Sequence, residues 1–408
     1  MGLDAVLPPG ACIGILGSGQ LGRMLCHAAR ELGYRTAVFS EESGSPAGQV
    51  ADREYVGRFE SPADMGDFAG GVQVVTYEFE NIPVAALRVC LDHGVPVRPG
   101  PFVLGTVQDR IREKTHLQRH GVPVSPFVAL RAGASLPTAP DLPFPCLLKT
   151  ARFGYDGKGQ VHVASPDELP RAWHELGGQD AILESVVDFT HELSVVMARS
   201  SSGAEAIYPV VLNHHRNLIL DISVAPAPIP DASARRAREL TREIAGSFDL
   251  EGLFCVEYFL LATGELLVNE IAPRTHNSGH WTIEGCATSQ FAQQVRAVCG
   301  LPLASVAMRG GSAMANLLGD LWPDGGDLPT RQVAWGDDAF LHLYGKGEAK
   351  PGRKMGHVTA TAMSARAAAQ RVDGVRRALG GWSAAPAFLA VLNGPHRTSA
   401  GSAVEKQW

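Results

Sequence analysis

The sequence predicts an α/β unit at the amino end, followed by a larger α+β region. Three observations carry this. Residues 11–107 alternate short apolar strands with helically spaced segments, the pattern of a parallel sheet covered by helices. Beyond residue 124 the strands are joined by turns rich in Pro and Gly, and strand-like texture returns from about residue 303. The 408 residues are 45% hydrophobic and 19% charged, enough to bury a sizeable core and to make several domains.

Taken in order, residues 11–16 read as a buried strand, 20–32 as a helix and 36–40 as a second strand. Residues 72–77 form another apolar run, and 83–93 have helical spacing. A helix is expected over 107–120, stopped by Gly121-Val122-Pro123. Short strands follow at 147–149, 160–163 and 181–184. A helix over 232–248 leads into a hairpin over 254–271, and a helix over 289–299 closes this part. From residue 395 the chain is polar and expected to fray.

The formal net charge of -6 argues against a broad nucleic-acid footprint, so any bound polyanion must meet a local cluster of cations. No apolar run approaches the roughly 20 residues needed to cross a bilayer. Residues 1–10 lack a basic segment followed by an apolar stretch, so no secretory signal is expected. The 7 cysteines are scattered and form no Cys-x-x-Cys pair, which speaks against a zinc or disulfide framework and for a reducing cytoplasm.

Gly17-Ser18-Gly19-Gln20-Leu21-Gly22 follows a strand and opens a helix, where backbone N–H groups favour an anion. One reading is a dinucleotide site with Glu41 or Glu42 on the ribose; another is the phosphate of a substrate. A second glycine loop, 153–160, joins two strands and lacks the spacing and helix of a Walker loop. Its glycines free the backbone to fold over phosphates, and Lys149 and Lys158 add positive charge. An exposed hairpin turn is the plain alternative.

The hairpin is more informative. A two-residue turn at Thr263-Gly264 makes cross-strand partners of Glu257 and Glu270, on the face of Phe259, Leu261, Leu266 and Val268. Asn269 is then expected on the opposite face. Carboxylates about 5 Å apart repel by roughly 3 kcal/mol at an effective dielectric near 20. A good cross-strand pair contributes only roughly 0.2–1 kcal/mol. A hard cation such as Mg²⁺ offsets the repulsion and suits shared phosphate oxygens; a shared proton or a shifted register would also relieve it.

The string 269–282, Asn-Glu-Ile-Ala-Pro-Arg-Thr-His-Asn-Ser-Gly-His-Trp-Thr, resembles the signature of the N5-carboxyaminoimidazole ribonucleotide synthase family. Similar motifs stand in the family's order at 17–24, 76–82, 154–160 and 351–357, and the likeness spans roughly 11–393. The resemblance implies an ATP-grasp fold with an amino-terminal Rossmann-like (pre-ATP-grasp) domain over 1–107. The ATP-grasp domain is expected over 108–302, in two parts of approximately 108–190 and 191–302. A small, mostly-β carboxy-terminal domain is expected over 303–394 and a flexible tail over 395–408.

It also implies ATP- and bicarbonate-dependent carboxylation of 5-aminoimidazole ribonucleotide by a cytoplasmic homodimer. By position, Arg110 and Lys149 would contact ATP phosphates. Gly154, Tyr155, Asp156, Gly157, Lys158, Gly159 and Gln160 would form the flap over them. Glu184, Ser185, Val186 and Val187 would hold adenine, Glu192 the ribose, and His215 the nucleotide, with His214 a competing choice. Asn269 and Glu270 would complete the nucleotide site, with Glu257 and Glu270 on Mg²⁺. Arg274 resembles a bicarbonate-binding arginine, and its guanidinium fork suits a planar carboxylate. With Tyr155, Asp156 and Lys354 it makes up the expected catalytic group.

Substrate phosphate would meet Lys346, Lys350, Arg353, Lys354 and His357, together with Gly19, Gln20 and Leu21. Glu78 would hold the substrate ribose, and His276, Asn277 and Ser278 would contact substrate. Two other readings stay open. One is a formate-using ATP-grasp glycinamide ribonucleotide transformylase; the other is an NAD-dependent oxidoreductase or a non-catalytic nucleotide sensor.

Overall fold

The computed structural model describes residues 6–392 except 139, 155–158, 323–325, 327 and 385. The amino-terminal layer is built from β1 (Cys12–Leu16), α1 (Gln20–Glu31), β2 (Arg35–Ser40), β3 (Arg53–Val56), α2 (Pro62–Ala69), β4 (Val74–Tyr77) and α3 (Val84–Asp92). Its four strands pair in parallel in the order β3-β2-β1-β4. An uninterrupted apolar β1 follows from that position, since helices cover both faces of a central parallel strand. The strand–helix alternation read from the sequence is therefore present.

The helix expected over 107–120 is present as α5 (Arg110–Arg119), starting three residues later, and a separate helix, α4 (Pro101–Val107), precedes it. The later start has a local cause. Asp109 leaves helical geometry at φ -127° and accepts hydrogen bonds from the N–H groups of Ile111 and Arg112 at 3.0 and 3.2 Å. It is an N-cap, and it places Arg110 at the first position of α5.

A small antiparallel sheet follows, from β5 (Phe127–Leu130), β6 (Cys146–Thr150), β7 (Gln160–Val163) and, after α6 (Leu169–Glu175), β8 (Ala181–Ser185). Its order is β5-β8-β6-β7. The large sheet begins with β9 (Phe189–Arg199), β10 (Glu205–Ile207), β11 (Val211–Arg216) and β12 (Ile219–Ala225). After α7 (Asp231–Ser247) come β13 (Gly252–Leu261), β14 (Leu266–Ala272), α8 (Thr282–Gly285) and α9 (Gln290–Val298). Ala237, Leu240 and Ile244, at helical spacing on α7, are buried with Phe254 and Val256 of β13 in the main core.

The last part comprises β15 (Gly311–Leu318), β16 (Ala339–Leu343), β17 (Lys354–Ala362), α10 (Ala365–Ala378) and α11 (Pro386–Val391). Its strands do not form a sheet of their own. β15 pairs with β12, from Ile222 against Ala315 to Ala225 against Ser312, giving one nine-stranded sheet ordered β14-β13-β9-β11-β12-β15-β17-β16 with β10 on β9. The carboxy-terminal segment thus extends the sheet that carries the hairpin glutamates.

The hairpin corrects three expectations and keeps a fourth. The Leu261 N–H bonds to the Glu265 carbonyl at 2.9 Å, so the turn holds three residues, Ala262-Thr263-Gly264. Tyr258 consequently faces Val268 and Phe259 faces Leu267, and a bulge beside Asn269 then restores Glu257 opposite Glu270. Leu266 and Val268 lie in the main core with Tyr258 and Leu260, rather than beside Glu257. Asn269 turns toward Glu257, donating from its amide to the carboxylate at 3.5 Å, instead of facing away. A bulge inserts one residue and resets the alternation of sides, which a simple register count cannot anticipate.

Candidate active site

One cavity of about 1080 Å³ collects side chains from all three regions. Its walls include Gln20, Leu21, Glu78 and Glu80 from the amino-terminal layer, and Lys149, Gly154, Gly159 and Gln160 from the small sheet. Glu192, His215, Glu257, Asn269, Glu270, Arg274, His276, Asn277 and Lys354 come from the large sheet and its loops. Tyr155, Asp156, Gly157 and Lys158 lie outside the described residues. The glycine loop adjoins the site where it can be followed. Gly159 has φ +73°, and a Cβ there would meet Thr150 Oγ1 at 2.8 Å, so another residue is both strained and crowded.

Charge organises the nucleotide end. Arg110 Nη1 pairs with Glu270 at 3.3 Å, and its Nη2 donates to the Gly154 carbonyl at 3.3 Å. Lys149 Nζ pairs with Glu184 at 2.7 Å. Burial works to raise the Glu270 carboxyl, but Arg110 and Lys149 outweigh it and hold the group below the usual range. Burial, and then the Glu270 charge, push Glu257 up to about 7. The two facing glutamates are thus electrostatically unequal: cations hold Glu270 low, whereas burial and the neighbouring charge push Glu257 up.

A divalent cation fits this donor set. Carboxylate oxygens suit Mg²⁺, which keeps waters and phosphate oxygens in its remaining positions. Among the described residues no group of three or more His, Cys, Asp or Glu forms a protein cage for a metal.

His215 and Glu192 form a second ion pair, at 2.7 Å. Burial alone would lower the imidazole, but the Glu192 charge outweighs it and raises His215 to about 9. His214 instead stacks on Phe388, with ring centroids 4.8 Å apart, and burial lowers its pKa. Of the two histidines, His215 is the cationic one. The stabilisation this pair contributes is full below the ordinary value near 6.5 and is lost as pH rises through 9. Thermal stability of the native chain is therefore expected to fall more steeply between pH 7 and 9 than that of His215→Gln. The differential is on the order of 2 kcal/mol, and melting curves across that range measure it.

The opposite end is centred on Arg274. Its Nη2 pairs with Glu80 at 2.7 Å and its Nη1 donates to the Thr275 carbonyl at 3.0 Å. Its Nε is buried with no hydrogen-bond partner among the described residues. A buried guanidinium with an unused donor is suited to an incoming oxyanion. His276, beside it, is held well below the ordinary imidazole value by burial and then by the Arg274 charge. Its Nδ1 meets Ser278 Oγ at 2.8 Å, and its Nε2 lies 3.4 Å from Glu257.

Several predicted contacts move. The first glycine turn already holds an anion from within the chain. The N–H groups of Gly19 and Gly22 donate to the two Glu78 carboxylate oxygens, the second at 2.6 Å. The turn's donors therefore fix Glu78, while Gln20 and Leu21 line the cavity. Ser278 is fully buried and bonds Ser194 Oγ at 2.8 Å, so it shapes the loop from behind rather than facing the cavity. Asn277 lines the cavity and exchanges two amide hydrogen bonds with Asn316, at 3.0 and 2.8 Å.

The expected cation cluster also thins. His357 is fully buried and held well below its ordinary value by burial, so it is not a cation at neutral pH. Lys350 is exposed and pairs with Glu348 at 3.2 Å. Arg353 donates to the Glu348 carbonyl at 2.9 Å, and Lys346 to the Lys354 carbonyl at 2.7 Å. Of this set, Lys354 is the one that lines the cavity. Lys346, Lys350 and Arg353 lie in the loop between β16 and β17, whereas Lys354 opens β17 and His357 lies within it.

The sequence reading missed Glu80, Glu113 and Lys114. Glu80 sits inside a motif already singled out, two residues after Glu78. Glu113 and Lys114 follow Arg110 at helical spacing and are both 2% exposed, and charges that deeply buried require partners. Ser185 and Val186 use their N–H groups on the Pro126 and Pro145 carbonyls, at 3.0 and 2.9 Å. Those bonds anchor the link from β8 to β9 that the family resemblance assigns to adenine.

Known proteins carry the same arrangement of regions. A profile of the ribonucleotide synthetase pre-ATP-grasp domain matches residues 11–108, and one of the ATP-grasp domain matches 115–291. A profile of the phosphoribosylaminoimidazole carboxylase C-terminal domain matches 312–371. The N5-carboxyaminoimidazole ribonucleotide synthase of Brucella melitensis is 43% identical, over 86% of this chain and 97% of that protein. The bifunctional purine synthesis protein purC/E of Dictyostelium discoideum is also 43% identical, but the chain spans only 37% of its length.

Among solved structures, the N5-carboxyaminoimidazole ribonucleotide synthetase of Thermus thermophilus superposes with a TM-score of 0.83. It is 41% identical over 91% of this chain and 99% of that one. The Aspergillus clavatus N5-carboxyaminoimidazole synthase, solved with ADP and 5-aminoimidazole ribonucleotide, gives a TM-score of 0.80. It is 32% identical over 91% of this chain and 99% of that one. Regions, identity and architecture agree: the chain belongs to the N5-carboxyaminoimidazole ribonucleotide synthase family of ATP-grasp ligases.

Proposed function

We infer that the chain converts 5-aminoimidazole ribonucleotide, ATP and bicarbonate to N5-carboxyaminoimidazole ribonucleotide, ADP and phosphate, in de novo purine biosynthesis. The observation that carries this is one cavity holding a cation-flanked pair of opposed glutamates and, at its other end, a buried arginine whose Nε has no partner among the described residues. Phosphoryl transfer needs the first and an oxyanion co-substrate the second.

In this reading ATP phosphates lie by Arg110 and Lys149, with Gly154 to Gln160 closing over them. Glu257 and Glu270 would hold the magnesium ion, which when bound would supply positive charge for the transferred phosphoryl group. A bicarbonate oxygen attacks the γ-phosphorus and the bond to the β-phosphate oxygen breaks, giving carboxyphosphate and ADP. Arg274 holds the bicarbonate, with Glu80 fixing the guanidinium. The exocyclic amine of 5-aminoimidazole ribonucleotide then captures the carboxyl carbon and phosphate departs. Catalysis of this kind is mostly positioning and electrostatics.

Lys354, with Gln20 and Leu21, meets the substrate phosphate, and Glu78 meets its ribose. His276 and Asn277 line the same wall, while Tyr155 and Asp156 act from the flap. A homodimer working in the cytoplasm belongs to the same proposal. The reaction is tested by ADP release with bicarbonate against formate, each with 5-aminoimidazole ribonucleotide or glycinamide ribonucleotide. ADP release is expected only with bicarbonate and the imidazole substrate. Turnover with formate and glycinamide ribonucleotide would point to the transformylase instead.

A further inference from the structure

The geometry points to Lys114 as a positioning residue for ATP: it supplies the positive charge that lets Lys149 face phosphate while bound to Glu184. The inference rests on the cavity being the ATP site. Glu184 is buried and touches two lysines, Lys114 Nζ at 2.7 Å on one oxygen and Lys149 Nζ at 2.7 Å on the other. Side-chain exposures are 3% for Lys114, 5% for Glu184 and 17% for Lys149, so Lys149 alone of the three opens toward the cavity.

With Lys114 the group carries two positive charges and one negative, leaving a net +1 beside the phosphates. Without it, Glu184 and Lys149 would neutralise each other, and the lysine expected to meet ATP would present no net charge. Burial keeps this accounting sharp, because little water screens the three groups. Glu184 stays ionised in this setting: burial would raise its carboxyl, but Lys114 and Lys149 together hold it far below the usual range.

The position of Lys114 follows from its helix. Arg110, Glu113 and Lys114 stand three and four residues apart on α5, hence on one face. From that face Arg110 reaches Glu270, and Glu113 accepts the Ile271 N–H at 2.6 Å, both on β14 of the large sheet. Lys114 reaches Glu184 on β8 of the small sheet. One short helix therefore ties together the two sheets that flank the nucleotide, through charged side chains.

The test is an affinity series for ADP with magnesium, measured by calorimetry on the full chain. Affinity should follow the net charge of the group. Lys114→Met (net 0) is expected to bind about tenfold or more weakly, with most of that loss recovered in Lys114→Met/Glu184→Gln (net +1). Lys114→Arg should bind nearly as the native chain does. If Lys114→Met does not fold, the double variant and Glu184→Gln still decide when set beside the native chain: the first (net +1) should bind about as the native chain does and the second (net +2) more tightly, whereas a structural role weakens both.

A purely structural role predicts the reverse, with losses accumulating and the double variant weakest; that ranking, or unchanged affinity in Lys114→Met, overturns the inference. Lys149→Met serves as the control for the site itself. Unchanged affinity there would instead remove the ATP-site reading.

Discussion

Glu270→Gln is expected to lower bicarbonate- and substrate-dependent ADP formation by about a thousandfold, with the fold intact. Glutamine keeps the shape but removes the charge that Arg110 meets at 3.3 Å and that stands opposite Glu257. The metal loses one of its two proposed protein ligands, so the loss should appear in turnover and in magnesium dependence together. The fold should tolerate the change, because the Glu270 side chain is 39% exposed and partly exposed ion pairs contribute only about 1 kcal/mol or less. Glu257 offers an independent readout. The Glu270 charge helps raise it to about 7, so its titration should shift down in the variant. Full activity in Glu270→Gln would sink the metal assignment.

Arg274→Lys is the second large effect, a fall in carboxylation of about a hundredfold. Lysine preserves the charge but lacks the fork that now bonds Glu80, bonds the Thr275 carbonyl and leaves Nε unpaired among the described residues. A point charge can satisfy Glu80 or an incoming oxyanion, but not both in a fixed plane. The loss should therefore appear chiefly as a raised requirement for bicarbonate, with the KM for ATP nearly unmoved. Initial rates over a bicarbonate series separate the two, and equal shifts in both KM values would argue for general damage to the cavity.

Particular residues show where sequence reasoning reaches and where it stops. Counting across a hairpin pairs Glu257 with Glu270, and they are paired. The count assumes a two-residue turn. The actual three-residue turn and the bulge at Asn269 cancel each other from that pair onward, so Glu257/Glu270, Val256/Ile271 and Cys255/Ala272 match the count while Tyr258, Phe259 and Leu260 do not. Asn269 itself falls on the wrong face for the same reason. A single helix over 107–120 overlooks the Asp109 cap, although an Asp ahead of a charged helical run is a legible signal. His357 groups with the lysines because it follows them in the chain, yet β17 turns it into the interior.

The chain order of strands, helices and glycine loops was set by local chemistry: apolar period, turn residues and caps act over a few neighbours, so they can be read one segment at a time. The same holds for the motifs that place the chain among carboxylating ATP-grasp ligases. Which charges meet was decided only by tertiary structure. Glu78 fills its own chain's glycine turn, Glu80 grips Arg274 and Glu184 lies between two lysines, each pair brought together from distant segments. Buried charges must find partners wherever the packed sheets bring them, and that pairing depends on burial and distance, quantities that exist only once the chain has folded.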